Sequence, residues 1–356
     1  MMKKLIVPII TIGIFCIAPY IFADETIKGK YCYRYGDNET RFEEKKHTSA
    51  ELREEKEAFR SIMVYEPKPS LQGSDSYITI GIARLSGDTI YQIGGKYVTP
   101  SASGEYYFPI SELEFPLDVW MVSVEGSKEF AEKWKVSVGA KINYAINAGK
   151  MKDSDWLTLS NPAQLDVYSE SDAYLNALIM DIDIQYRFFE RSNWSFIVGV
   201  GYIRQNFDYE CKLNRQWSPS GLAGYDYTGT GSVDLTYEVT YSIPYMEIGI
   251  QFKFKNKVSL EASFGYSSIV NVKDLDVHVL RSKVSEGDCD GDAILFSLKG
   301  RYSFPRNWFL ALQLDYTKID TDGKQKQYTD GAWTATIDQE ITSEQIFGVL
   351  SAGYAF

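Results

Sequence analysis

The chain has 356 residues, with 37 Lys+Arg against 48 Asp+Glu, a formal net charge of −11. That acidity excludes a nucleic-acid binder, which needs a basic face for phosphates. Two histidines, His47 and His278, exclude a His-rich metal site, and four cysteines fit neither a zinc ribbon nor a dense disulfide scaffold.

Residues 1–23 read MMKKLIVPIITIGIFCIAPYIFA. Lys3 and Lys4 form a basic start, Leu5 to Ile21 is apolar, and Ala23 can precede a cleavage point. This predicts a secretory signal peptide, with a membrane anchor as the alternative. Export would place Cys32, Cys211 and Cys289 where disulfides can form. Residues 24–74 contain EEKKHTSAELREEKEAF, charged and helix-prone, with a cap at Thr48 or Ser49. They read as a periplasmic extension, partly a solvated helix, in which His47 needs no function.

From residue 75 to 356 one pattern repeats: about ten residues of alternation, then a turn or a long polar stretch. Trp134, Val136, Val138, Ile142 and Tyr144 alternate with Lys135, Ser137, Lys141 and Asn143. Leu178 to Phe188, Trp194 to Tyr202, Met246 to Phe254, Ile294 to Tyr302 and Trp308 to Tyr316 repeat the alternation. A period of two puts one face on each side of a sheet. Charged residues at mid-strand suit a wet lumen, and Trp, Tyr and Phe at the ends of the apolar faces suit an aromatic girdle. Mean hydropathy of −0.25 is compatible with this, because only half of each strand meets lipid. Short turns near 190–193, 255–257 and 304–307 separate long polar stretches at 86–113, 147–174, 205–240, 271–292 and 317–343. The final strand ends on Phe356. The predicted fold is all-β: a closed, transmembrane antiparallel β-barrel of about ten strands with long extracellular loops.

Two polar groupings stand out. In MKDSDW, Asp153 and Asp155 share one face of an extended chain, roughly 6–7 Å apart. In DLDVHV, Asp274, Asp276 and His278 share a face, and His278 is the only histidine of the barrel region. A carboxylate beside His278 would orient the ring as a general base toward water, and a second acid pair across a groove could hold that water. Each grouping alone is also ordinary turn chemistry. One parity conflict follows: Asp274, Asp276 and His278 carry the even numbering of Leu260, Phe264 and Tyr266, which should face lipid. A bulge between Ser267 and Lys273 is therefore predicted.

These residues resemble the omptin family of outer-membrane endopeptidases. The likeness runs over about 77–356, through YITIGIARLSGDTIY, PISELEFPLDVW, GKMKDSDW, SNPAQL, SDAYLNALIMDIDI, IPYMEIGI, KNKVSLEASFGYSSIV and DLDVHVLRSKV. The resemblance implies a ten-stranded barrel in the bacterial outer membrane, with a protease groove on its extracellular side. Peptides or proteins would be its substrates, with no cofactor and no metal. It assigns catalytic roles to Asp153 and Asp155 on one wall and Asp276 and His278 on the other, and a substrate-binding role to Asp274. It also implies an outer-membrane lipid partner, lipopolysaccharide among the candidates. Tyr202 matches the lipid-binding pattern, and Arg204 could hold a phosphate. Three departures stand: no acid occurs near Tyr91, where the specificity pocket would have a second one; Arg204 and Asn206 replace a charged pair; and the segment before Tyr77 has no counterpart.

The rival reading is a non-enzymatic barrel, an adhesin or structural protein with long binding loops. A lipid-acting barrel enzyme and a diffusion porin fit less well. Pairing of Cys211 with Cys289 is left open. GDCDGD at 287–292 reads as a solvated acidic turn rather than a calcium loop, and Asp320, Asp322 and Gly323 as a hairpin tip. The acidic rim would steer cationic peptides inward.

Overall fold

The computed structural model describes residues 76–131, 133–191, 193–254 and 257–356. The expected signal peptide and the 24–74 extension lie outside them. Within them the chain is almost wholly strand. β1 (Tyr77–Val98) is followed by the short β2 (Ser103–Glu105). One wall strand is broken into β3 (Ser111–Pro116) and β4 (Val119–Phe130), the next into β5 (Trp134–Asn143) and β6 (Asn147–Asp155). Then come β7 (Val167–Arg191), β8 (Trp194–Trp217), the short β9 (Tyr227–Thr228) and β10 (Leu235–Phe254). The last four are β11 (Val258–His278), β12 (Lys283–Ser303), β13 (Trp308–Thr329) and β14 (Ala332–Ala355).

All pairings between neighbours are antiparallel, and β1 pairs with β14 from Tyr77 opposite Ala355 to Val98 opposite Thr336. With β3 and β4 on the other side of β1, and β7 joining β8, the described residues form a closed ring of ten wall strands. Closure leaves no edge, as hydrocarbon requires of a spanning sheet.

The wall is taller than a membrane. A 22-residue strand such as β13 extends about 70 Å at roughly 3.3 Å per residue, whereas crossing a bilayer takes only about 9–11 residues. The outward faces show where the division falls. β13 exposes Trp308, Leu310, Leu312 and Leu314 in its first half, then Asp320 and Asp322; β14 exposes Glu340 and Glu344, then Ile346, Leu350 and Tyr354. Much of what the sequence marks as polar loop is thus ladder standing above the apolar band. The tip between β13 and β14 is Asp330–Gly331, both at positive φ, and not Asp320–Gly323, which lie within β13. GDCDGD likewise lies inside β12 and is not a turn.

The interior has two storeys. Level with the apolar band it is polar: Lys299 Nζ lies 2.6 Å from Glu125 Oε1, Lys135 pairs with Glu261, and Lys141 with Asp181. Above that is an apolar core of fully buried side chains, including Leu85, Phe115, Met121, Leu175, Phe207, Tyr209, Tyr237 and Tyr241. Phe115 stacks on Tyr237 with ring centroids 4.3 Å apart. This core is the floor on which the upper groove rests.

β11 contains the expected bulge. Against β12, Ser267 opposes Ala293 but Val270 opposes Gly291, so β11 spends three steps where β12 spends two. Against β10 the same excess of one residue appears between Tyr266 and Asn271. One extra residue flips the faces. Leu260, Phe264 and Tyr266 are exposed below it, and Asp274 and Asp276 are buried above it.

Leu312→Arg, in the middle of the apolar band, should lower the unfolding free energy in a bilayer by about 2–4 kcal/mol. Asp322→Arg, equally outward but above the band, should change it by less than about 1 kcal/mol. Denaturant titration of vesicle-inserted protein checks both.

Candidate active site

The two acidic groupings, far apart in sequence, meet in one groove at the top of the barrel. Asp153, Asp155, Asp276 and His278 all line it, with Tyr91, Tyr97, Tyr106, Ser111, Arg281 and Lys283. Its volume is about 300 Å³, room for the side chains of an extended peptide.

One wall is β6 set against β3, with Asp153 opposite Leu113 and Asp155 opposite Ser111. The chain reaches this position through a break at 144–146 and a bulge between Asn147 and Gly149, where Gly149 has φ of 117°. That conformation favours glycine over residues bearing a Cβ. The Ser111 hydroxyl donates to Asp155. Burial, then the neighbouring Asp155, holds the Asp153 carboxyl well above the ordinary carboxylate range. Burial also raises Asp155, against the lowering influence of Ser111 and Arg281. Asp153 Oδ1 is buried without a hydrogen-bond partner among the described residues.

The other wall is the end of β11. Asp276 sits between Tyr237 of β10 and Ser285 of β12, and His278 opposite Lys283. His278 Nε2 lies 3.3 Å from Asp276 Oδ2, and the Asp276 side chain is only 2% exposed. Asp276 Oδ1, like Asp153 Oδ1, has no partner among the described residues. The chain then turns through a short 3-10 segment, Val279–Arg281, and Ser282 at φ of 46° into β12. Arg281 Nη2 lies 2.6 Å from His278 Nδ1. Burial lowers the Lys283 ammonium, against the attraction of Asp276.

Asp274 does not line the groove with the other four. It is buried, and its Oδ2 accepts from Gln339 Nε2 at 2.9 Å. Gly287 lies so close that a Cβ there would collide with Asp274 Oδ1 and Gln339 Oε1. Tyr91, on the groove, touches Tyr237 and accepts a hydrogen bond from Gln325. Burial, then Asp276 and Asp274, pushes the Tyr91 hydroxyl well above its usual range. Tyr202 and Arg204 face outward on β8, and the Arg204 side chain hydrogen-bonds the Tyr202 hydroxyl. Cys211 and Cys289 are both free and buried.

Arg281, Lys283 and Ser111 are among the groove residues that the sequence pattern did not single out. Arg281 follows His278 by three positions, so a tight turn after the histidine was the available signal.

Burial pushes the Asp274 carboxyl up to about 7. The unfolded chain releases that proton near pH ~3.9, so between these values the native state binds more protons. Stability from this group therefore falls as pH rises through that window. Asp274→Asn should be neutral near pH 4 and stabilising above pH 7, by an amount on the order of 1–3 kcal/mol. Thermal unfolding of both proteins across pH 4–9 measures this.

The sequence model described as the Omptin family matches residues 102–354. The crystal structure of the outer membrane protease OmpT from Escherichia coli superposes with a TM-score of 0.68 at 16% identity, covering 80% of this chain and 97% of that one. The outer membrane protein OprG from Pseudomonas aeruginosa (TM-score 0.38, 10% identity, 81% and 99% covered) and the translocator domain of the autotransporter NalP from Neisseria meningitidis (0.36, 7%, 86% and 98%) are much less similar. No curated protein matches the sequence.

Proposed function

The chain belongs to the Omptin family, and on that premise we propose that it is an endopeptidase of the bacterial outer membrane, with its groove open to the cell exterior. One observation carries the reading. The imidazole of His278 is bound to a nearly buried carboxylate, Asp276, in the same groove as a second acid pair, Asp153 and Asp155.

In this mechanism a water held between Asp153 and His278 attacks the peptide carbonyl. His278 takes the water proton on the ring nitrogen not bound to Asp276, which requires the Arg281 guanidinium, 2.6 Å from that nitrogen, to move aside. Asp276 holds the other N–H, fixes the ring and stabilises the imidazolium as it forms. Asp153 and Asp155, both raised by burial, share a proton, and the protonated oxygen donates to the developing oxyanion. Collapse of the tetrahedral intermediate expels the amine, which receives the proton from His278. Atoms balance with water as the only co-reactant. The orphaned Oδ1 atoms of Asp153 and Asp276 offer acceptors on both walls.

The extended peptide would lie along the groove between the two acidic walls. On the outer surface, the Arg204 guanidinium beside Tyr202 would hold a lipid phosphate, of lipopolysaccharide or another outer-membrane lipid. Asp274 keeps only an indirect role, because it lies outside the groove lining.

His278→Ala and Asp153→Ala should each reduce peptide cleavage by at least about 10²-fold while the barrel still folds. Cleavage of a mixed peptide library by detergent-folded protein reads this. Undiminished cleavage in both variants would overturn the catalytic assignment.

A further inference from the structure

The groove is charged on two walls and uncharged on a third. Among the described residues, every charged group of its lining comes from β6 or from the β11–β12 hairpin: Asp153, Asp155, Asp276, His278, Arg281 and Lys283. β1, β14 and the segment joining β1 to β3 contribute none. Their share includes Tyr97, Tyr106, Ile110 and Ile337, and Leu157, just beyond β6, completes the lining on this side. Apolar surface facing a groove beside reacting groups is where apolar surface of a ligand gains by leaving water.

These side chains are fixed by their neighbours. Ile337 sits opposite Tyr97 in the β1–β14 ladder and is 5% exposed. Tyr97 stacks on Tyr106 with ring centroids 4.2 Å apart. Gly104 lies opposite Tyr97 in β2, where a Cβ would come within 2.7 Å of the Tyr97 hydroxyl. The Ile110 backbone bonds to Ile93 on one side and to Trp156 on the other. Leu157 is 46% exposed, yet its backbone N–H donates to Asp166 Oδ2 at 2.8 Å, and the Ser220 hydroxyl donates to the same carboxylate. An exposed leucine on a loop is ordinary. One pinned at the mouth of a groove is pre-organised for a contact.

We infer that Tyr97, Tyr106, Ile110, Leu157 and Ile337 form a subsite for one apolar side chain of the peptide, on one side of the bond to be cut, and that Leu157 and Ile337 are specificity-determining residues. In an extended peptide successive side chains point to opposite faces. Of the two residues flanking the bond, one therefore turns toward this wall and the other away from it. The charged walls remain available to the second residue, so the inference concerns a single position of the substrate. A leucine or phenylalanine there is desolvated against apolar and aromatic side chains, whereas a lysine loses hydration with no carboxylate on that wall. The inference rests on the endopeptidase reading above.

The test uses full-length, detergent-folded protein and the peptide that it cuts best in the mixed library. Each residue flanking the cleaved bond is replaced in turn by Leu, Phe, Ser or Lys. At one of the two positions the Leu peptide should exceed the Ser peptide at least about tenfold in kcat/KM. Leu157→Ser should shrink that ratio to about threefold. Leu157→Glu should turn the preference at that position to Lys. Ile337→Ala, which deepens the pocket, should favour Phe over Leu there. Loss of folded protein lowers all peptides alike, so these ratios separate recognition from structural damage. Leu-to-Ser ratios near or below one at both positions, or ratios left unchanged by Leu157→Ser or by Ile337→Ala, would overturn the subsite while leaving the protease reading in place. Failure of the folded wild type to cut any peptide would overturn both.

Discussion

A backbone amide in hydrocarbon has no hydrogen-bond partner except the neighbouring strand, and that single requirement organises this molecule. It forces ten wall strands into a ring, with β1 on β14, and it makes side chains alternate strictly between lipid and interior. Alternation is unforgiving, because a slip of one residue exchanges the two faces. β11 uses that property. Its extra residue between Ser267 and Val270 lies where the outward surface turns from apolar to charged. Below it, Leu260 and Phe264 meet lipid; above it, residues of the same parity, Asp274 and Asp276, turn inward.

The ladder continues well above the membrane, and this decides what the interior can hold. Within the apolar band the lumen is lined by ion pairs such as Lys299 with Glu125, whose charges must stay paired or wet. Higher up, where the outward face is charged and the interior is not, Phe115, Phe207, Tyr209, Tyr237 and Tyr241 pack into a dry floor. That floor isolates the groove from the lumen. It also lowers the dielectric under Asp153 and Asp276, which is why their carboxyl groups are costly to bury and have strong leverage on neighbours.

The groove is therefore an arrangement of mutually dependent charges. Asp276 is tolerable as a buried acid because His278 and Lys283 adjoin it. Burial raises the carboxyls of both Asp153 and Asp155, Asp155 raises Asp153 further, and the Ser111 hydrogen bond, Arg281 and Lys283 act on Asp155 in the opposite direction. Arg281 shares His278 with Asp276, so the imidazole is held from both sides. A peptide entering such a site competes with contacts already made, and the chemistry of its side chains settles which of them it can replace.

Much of this was legible in the residues alone. The period of two in Trp308–Tyr316 and Met246–Phe254, with its aromatic ends, specifies spanning strands, because it depends only on local alternation. The parity conflict between Phe264 and Asp276 required a bulge for the same reason. Local pattern could not say that 205–217, 271–278 and 317–329 continue as strand above the membrane, since polar residues on a ladder and in a loop look alike without the partner strand. Nor could it join Asp155 to His278, withdraw Asp274 beneath the groove or lay Arg281 on the imidazole. Those are contacts across the ring between segments distant in sequence, and only closure of the barrel brings them within reach.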